Sequence, residues 1–389
     1  MLALLAIAGA CASSARAYDT RHIFVTNRGA GTILELDESL ALVRTWFASE
    51  GLDEPNGMAF TPDGAIWVAD TGNLRILAFD AAGTRAGTID AATRLGSSVE
   101  SIYFAGDGTL FATANPGLGV IARYTITGSP LPDVVAAPAF LNLGNVNLTN
   151  AGNVIVSDFS GTMRGLRELD PATGTVMRAF GTDLGRQEDV MIDGADRVFV
   201  SHFDGDEIVV YDAARTELYR FAPPPSEPMP LDQPTGIALT HDCRILVASF
   251  ANAVLFEFHH RGDSPPQFVR SVRIDGLSLP ESIAIAGLAL PGGFSEFADA
   301  VPTCNPVVRP DGGPPAPDAG ASDAGSGGPD AGASSQDAGA RDAGSGPGTS
   351  GGCGCIVPCG SDSEGGVLVA FVLGLCVLGL GRRRRLRMR

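Results

Sequence analysis

The stretch Pro55-Asn-Gly-Met-Ala-Phe-Thr-Pro-Asp-Gly-Ala-Ile-Trp-Val-Ala-Asp70, continued by Thr71-Gly-Asn-Leu-Arg-Ile-Leu-Ala-Phe-Asp80, decides the fold. Two short β-rich runs flank Asp63-Gly64, and a third follows Gly72-Asn73. Turn dipeptides between runs of this length mark antiparallel hairpins, so the unit reads strand, turn, strand, turn, strand. The same unit returns along the chain. Equivalent second strands centre on Trp67, Phe111, Ile155, Phe199 and Leu246, at spacings of 44, 44, 44 and 47. Equivalent first strands begin at Gly57, Ser101, Asn145, Asp189, Gly236 and Ser282.

Five units are complete and the sixth is split. Ser282-Ile-Ala-Ile-Ala286 reads as a first strand with no second strand after it. The missing strands stand at the other end of the chain. His22-Ile-Phe-Val-Thr-Asn27 matches a second strand, with Phe24 placed 43 residues before Trp67, and Thr32-Ile-Leu-Glu-Leu-Asp37 matches a third. Antiparallel repeats of about 40 residues suit propeller blades. The expected fold is therefore all-β, a six-bladed β-propeller over residues 18–304, closed by N- and C-terminal strands in one blade. An open β-solenoid is the competing architecture, and the split repeat argues against it.

The unit from Pro55-Asn-Gly-Met through Pro62-Asp-Gly and Trp67-Val-Ala-Asp to Gly72-Asn-Leu-Arg-Ile resembles the NHL repeat. It also resembles the senescence-marker-protein/gluconolactonase family, whose six-bladed members carry Pro-Asn-Gly-Leu-Ala-Phe-type strands. The resemblance spans about residues 22–287 and is strongest in the first blade. NHL domains mostly bind, whereas gluconolactonases are metal-dependent hydrolases, and fold does not choose between them. In the latter, metal ligands sit where first strands enter the channel. The matching positions here are Asn56, Glu100, Gly144, Glu188, Thr235 and Glu281. The resemblance thus implies a hard-cation site, calcium or another divalent ion, on Asn56, Glu100, Glu188 and Glu281, with Asp189 as the alternative to Glu188. The bland alternative is a set of solvated rim residues on an acidic protein.

Asn27, Asp70, Asp158 and His202 recur after second strands, where such residues commonly satisfy turn backbone groups. His202 is the odd member and a candidate to face the channel. His259-His260 is followed by Arg261-Gly-Asp263, which reads as a loop; adjacent histidines point to different sides, so a shared metal is not expected. No Ser-His-Asp constellation, nucleotide loop or Cys–His zinc box is recognisable.

The two ends of the chain read as addresses. Leu2 to Ala10 is apolar and Ala15-Arg16-Ala17 offers a small-x-small cleavage pattern, so residues 1–17 read as a signal peptide. Cys11 follows Ala8-Gly9-Ala10, a poor lipidation signal. Residues 305–350 repeat Asp-Ala-Gly at 318, 323, 330, 337 and 342 and carry no bulky apolar residue after Val308. That composition predicts a disordered stalk, with an average reach of roughly 40 Å. Gly351-Gly-Cys-Gly-Cys-Ile-Val-Pro-Cys-Gly360 opens a Cys-rich segment, 351–364, followed by an apolar run, 365–381, and an arginine cluster, 382–389. The run of 17 residues is the short end of what spans a bilayer. The arrangement resembles the MYXO-CTERM sorting tail of myxobacteria, with Cys353 and Cys355 as the processing motif. It implies transient inner-membrane anchoring, cleavage by a sorting protease, and display on the outer envelope of a Gram-negative bacterium.

Composition bounds the partners. The net charge is −17, and removing six tail arginines gives −17 − 6 = −23. Nucleic-acid binding is excluded, because no basic patch offsets phosphate repulsion. Of seven cysteines, Cys243 and Cys304 alone lie outside the signal, sorting and membrane segments. In an oxidising compartment they read as a disulfide. The expected function is a surface-displayed binding module for protein or glycan. The alternatives are a lactonase or esterase of the gluconolactonase type and a structural cell-surface component.

Overall fold

The computed structural model describes residues 18–135, 142–158, 164–294, 299–300 and 302–304. The predicted signal peptide, stalk, Cys353/Cys355 motif, membrane helix and arginine cluster lie outside the described residues.

Strands β1 (Ile23–Asn27), β2 (Thr32–Leu36) and β3 (Leu42–Trp46) open the chain. The first complete blade follows as β4 (Pro55–Phe60), β5 (Ile66–Asp70), β6 (Arg75–Phe79) and β7 (Arg85–Asp90). Four more blades repeat this order. They are β8–β11 between Val99 and Val135, β12–β15 between Leu143 and Phe180, β16–β19 between Gln187 and Phe221, and β20–β23 between Pro234 and Arg273. Strand β24 (Pro280–Ile285) then pairs with β1, giving the sixth sheet the order β24-β1-β2-β3. The two chain ends share one blade, as the split repeat predicts.

The register predicted from spacing is the observed one. Ala59 faces Trp67, Tyr103 faces Phe111, Asn147 faces Ile155, Met191 faces Phe199 and Ala238 faces Leu246. Across the closure Phe24 faces Ala284. Second strands read as near-continuous apolar runs because they are buried on both faces, as in Ile66–Asp70 and Val154–Asp158. Outer strands such as β3 and β15 (Val176–Phe180) are exposed along four of five residues. The hydrophobic cores lie between neighbouring blades. One holds Trp67 and Ile76 against Ile102 and Leu110, and the closure core holds Phe24, Ile33 and Trp46 against Met58 and Phe60.

Each inner strand carries one extra residue near its start. Between Pro55 and Met58 three steps on β4 oppose two on β5, and the same bulge recurs at Val99/Ile102, Leu143/Val146, Gln187/Val190, Pro234/Ile237 and Pro280/Ile283. A bulge re-aims side chains and breaks the two-residue alternation. Here it presents two consecutive residues of five of the six blades to the mouth of the channel. Gly57 sits at one such bulge because the next blade leaves no room: a Cβ there would stand 2.8 Å from the Cα of Ser101.

The opposite end of the channel is crossed by the chain itself. After β24, residues 286–294 run beneath the turns that join first to second strands. The Gly106 N–H donates to the Gly292 carbonyl (2.8 Å), the Tyr103 hydroxyl donates to the Pro291 carbonyl (2.6 Å), and the Phe294 ring packs on Phe104 (5.4 Å). Beyond, the Gly194 N–H donates to the Pro302 carbonyl (3.2 Å), and Cys304 is disulfide-bonded to Cys243 with their Cα atoms 5.6 Å apart. This strap closes the channel floor and ends on the fourth and fifth blades.

Candidate functional site

At the open end the bulges bring Asn56, Glu100, Gly144, Glu188 and Glu281 around one small void of about 20 Å³, with Gly57, Ser101, Asn145, Asp189 and Ser282 beneath them. Register alone places four of the candidate ligands correctly at a common mouth. Thr235, the sixth matching position, turns away: its hydroxyl donates to the Pro280 carbonyl at 2.7 Å.

The mouth residues tie the blades together. Asn56 Nδ2 donates to Glu100 Oε2 (2.7 Å), linking the first two complete blades. Asn145 Nδ2 donates to Ser101 Oγ (3.3 Å) on one side and to Asp189 Oδ1 on the other. Asp189 Oδ2 accepts the Ile237 N–H (3.0 Å). Arg28, in the turn after β1, pairs with Glu281 (2.6 Å) in its own blade and with Glu54 (2.7 Å) ahead of the next. Together with the Thr235 bond, these contacts join every neighbouring pair of blades. Arg186 pairs with Glu188, and its guanidinium lies over the Phe203 ring at 4.4 Å.

Two arginines thus stand where a divalent ion would draw the carboxylates together. Among the described residues no three His, Cys, Asp or Glu side chains form a group able to hold a metal ion. The donor set as arranged does not fit one. Arg28 and Arg186 are the residues that sequence reasoning missed. They stand at repeat-equivalent positions, Arg28 with Thr71 and Asn115, and Arg186 with Glu54, Ser98 and Asn142, but no arginine recurs there, so spacing carries no signal for their role. Asp189, weighed only as a substitute ligand, proves to be a staple between three blades.

Burial governs the electrostatics. It pushes the Glu100 carboxyl up to about 7, with nearby Glu281 adding to the rise. It pushes Asp189 up to about 7 against the opposing bonds from Ile237 and Val190. Glu188 and Glu281 are raised by the same desolvation. A carboxyl whose pKa is higher folded than unfolded contributes stability that is full below its unfolded value and lost as pH rises through its folded value. The mouth should therefore cost stability between about pH 4 and pH 8. We expect the melting temperature to fall across that interval, and the fall to shrink in Glu188→Gln. An identical pH profile for the variant would refute this account of the mouth.

The other singled-out residues are structural. Asn27 Oδ1 accepts the Ser278 N–H (2.7 Å) and Asp70 Oδ1 accepts the Asp53 N–H (2.7 Å). His202 does not turn into the channel, because its Nε2 accepts the Gly185 N–H at 3.2 Å. His259 is exposed and His260 is buried, as strand alternation requires.

Residues 52–79 match the family model of the NHL repeat. No curated protein matches the chain. Solved structures share the fold. A nidogen/laminin complex aligns with a TM-score of 0.56 at 14% identity, over 68% of this chain and 98% of that one. A protein of unknown function from Bacteroides caccae aligns with a TM-score of 0.52 at 14% identity, over 67% and 97%. Virginiamycin B lyase from Staphylococcus aureus aligns with a TM-score of 0.51 at 11% identity, over 69% and 90%. At these identities the likeness is one of fold.

Proposed function

We propose that this propeller is a non-catalytic binding module for protein or glycan, displayed at the cell surface, and that its working end is the channel mouth with its surrounding loops. The observation that carries this reading is that each mouth carboxylate already has a protein partner: Glu100 has Asn56, Glu188 has Arg186, Glu281 has Arg28 and Asp189 has Asn145. Carboxylates held this way brace the ring, are poorly placed to act as a general base, and leave no shell of free oxygens of the kind a divalent ion takes. Leu74, Leu118 and Leu279 are exposed by 42%, 63% and 38% on the turns of this same end, the kind of apolar tips that a partner surface covers.

The neighbours by fold include a component of a nidogen/laminin complex and a lyase, so fold does not choose an activity. The deciding experiment is a lactone and phosphotriester panel run on the full chain with and without chelator, beside calcium titrations of the melting temperature. We expect no chelator-sensitive turnover and a calcium-independent melt. Chelator-sensitive turnover, with a calcium-dependent melt that is lost in Glu100→Gln, would replace this reading with the hydrolase.

A further inference from the structure

Below the mouth the channel holds a second void of about 100 Å³. Its upper wall is one complete ring of apolar side chains, Met58, Ile102, Val146, Val190, Ile237 and Ile283, one from each inner strand. Phe60, Phe104, Ile192, Leu239 and Ile285 continue the wall downward, and Leu290 and Phe294 of the strap form the floor. The cavity is therefore blind, apolar and closed at its far end by the chain's own C-terminal segment.

The two voids adjoin. Gly57, Ser101, Asn145, Asp189 and Ser282 line both, so one ring of small and polar residues separates a tiny acidic chamber from a larger greasy one. The acidic chamber, about 20 Å³, suits one water-sized group. Its charge is not balanced. Glu54, Glu100, Glu188, Asp189 and Glu281 supply five carboxylates against the two guanidiniums of Arg28 and Arg186, leaving −5 + 2 = −3 when all are ionised. At the junction Asn145 Oδ1 is fully buried and accepts no hydrogen bond from the described residues, although its amide nitrogen donates on both sides. A buried acceptor without a donor is costly, and a ligand N–H placed there recovers that cost.

We infer that the channel is a binding site for a small primary amine with an apolar body: the ammonium group in the acidic chamber beside Asn145 Oδ1, the hydrocarbon in the cavity below. An ammonium ion is water-sized, carries only donors, and supplies the positive charge that the chamber lacks. An apolar cavity of about this size takes a hydrocarbon of roughly five carbons, since one of about 150 Å³ takes benzene. A carboxylic acid of the same length is repelled, and an alcohol gains the hydrocarbon contacts without the ionic ones.

The assignment rests on the mouth as the working end but concerns its interior, not its rim. The test is calorimetric titration of the full chain with pentylamine, pentan-1-ol, pentanoate and methylamine. Pentylamine should bind at least tenfold more tightly than pentan-1-ol or methylamine, and pentanoate should not bind. Glu100→Gln keeps the shape of the chamber and should weaken pentylamine at least tenfold while leaving pentan-1-ol unchanged. Val146→Trp fills the cavity and should abolish both; should that variant not fold, the Glu100→Gln comparison stands alone. Equal affinity for amine and alcohol, no amine binding at millimolar concentration, or an unaltered amine affinity in Glu100→Gln overturns the inference. The rim reading is read out separately on a glycan array, comparing the full chain with Leu118→Asp. An array signal lost in that variant, alongside failed amine titrations, sinks the cavity assignment and leaves the rim reading standing.

Discussion

Truncating Arg197 to alanine should destabilise the propeller by about 3 kcal/mol, the low end for breaking a buried ion pair. Arg197 lies in the turn between β16 (Gln187–Ile192) and β17 (Val198–His202), with its side chain only 3% exposed. Its Nε donates to Asp193 Oδ2 (2.7 Å), one terminal nitrogen pairs with Asp263 (2.8 Å), and the other donates to the Thr303 carbonyl of the strap. Asp193 is fully buried, and its carboxylate also meets His260 Nε2 at 3.0 Å. Removing the guanidinium leaves that carboxylate in the interior without its principal cation. The remaining bonds, from the Ala195 and Arg197 N–H groups and from His260, keep the cost from being larger. Arg197→Lys should recover only part of the loss, because one ammonium cannot reproduce a planar fork that serves three partners. Denaturant unfolding measures this, and a loss under about 1 kcal/mol for Arg197→Ala would show that the network is not a stability determinant.

The second large effect should come from the strap's covalent end. Cys243 and Cys304 are 61 residues apart, and closing a loop of that length stabilises by roughly 4 kcal/mol in the chain-entropy treatment. The double substitution to serine, or reduction of the native chain, should lower the melting temperature by up to about 10 °C. The strap also keeps noncovalent holds at Gly194, Gly106 and Tyr103, so the floor should loosen before the blades separate. Limited proteolysis should then cut first between residues 286 and 304 in the reduced protein. Equal melting of oxidised and reduced samples would assign the disulfide no role in stability.

The RGD tripeptide Arg261-Gly262-Asp263 finds its place in this same network. Asp263 is held by Arg197, and the Gly262 N–H donates to His260 Nδ1 at 3.2 Å. The tripeptide is a hairpin corner that braces two blades.

The repeat spacing determined the fold by itself. A 44-residue period in Trp67, Phe111, Ile155 and Phe199 fixes which residues face one another, because each blade repeats one strand geometry and must pack on the next. The half-unit at each chain end determined the closure for the same reason: β1 and β24 each lack a partner until they meet. The pairing of Cys243 with Cys304 was also legible, as the two cysteines left once the end segments were set aside. Even the set Asn56, Glu100, Glu188 and Glu281 was legible as a common ring, since equal register puts equal positions at equal depth.

What that ring does was decided only in three dimensions. Arg28 and Arg186 reach the carboxylates from positions whose repeat equivalents, Thr71 and Asn115 or Glu54, Ser98 and Asn142, are not basic, so no periodicity announces them. The bulge that turns two consecutive residues inward leaves no mark in an alternating pattern, and it is why Asp189 stands beside Glu188 in the same mouth. The strap that makes the channel blind is an irregular segment after the last repeat, placed by contacts with four different blades. Local sequence encodes strands and turns because those depend on neighbours in the chain. Charge balance, cavity depth and channel closure depend on residues 188 positions apart, as Tyr103 and Pro291 are, or 253, as Arg28 and Glu281 are, and only the closed ring brings them together.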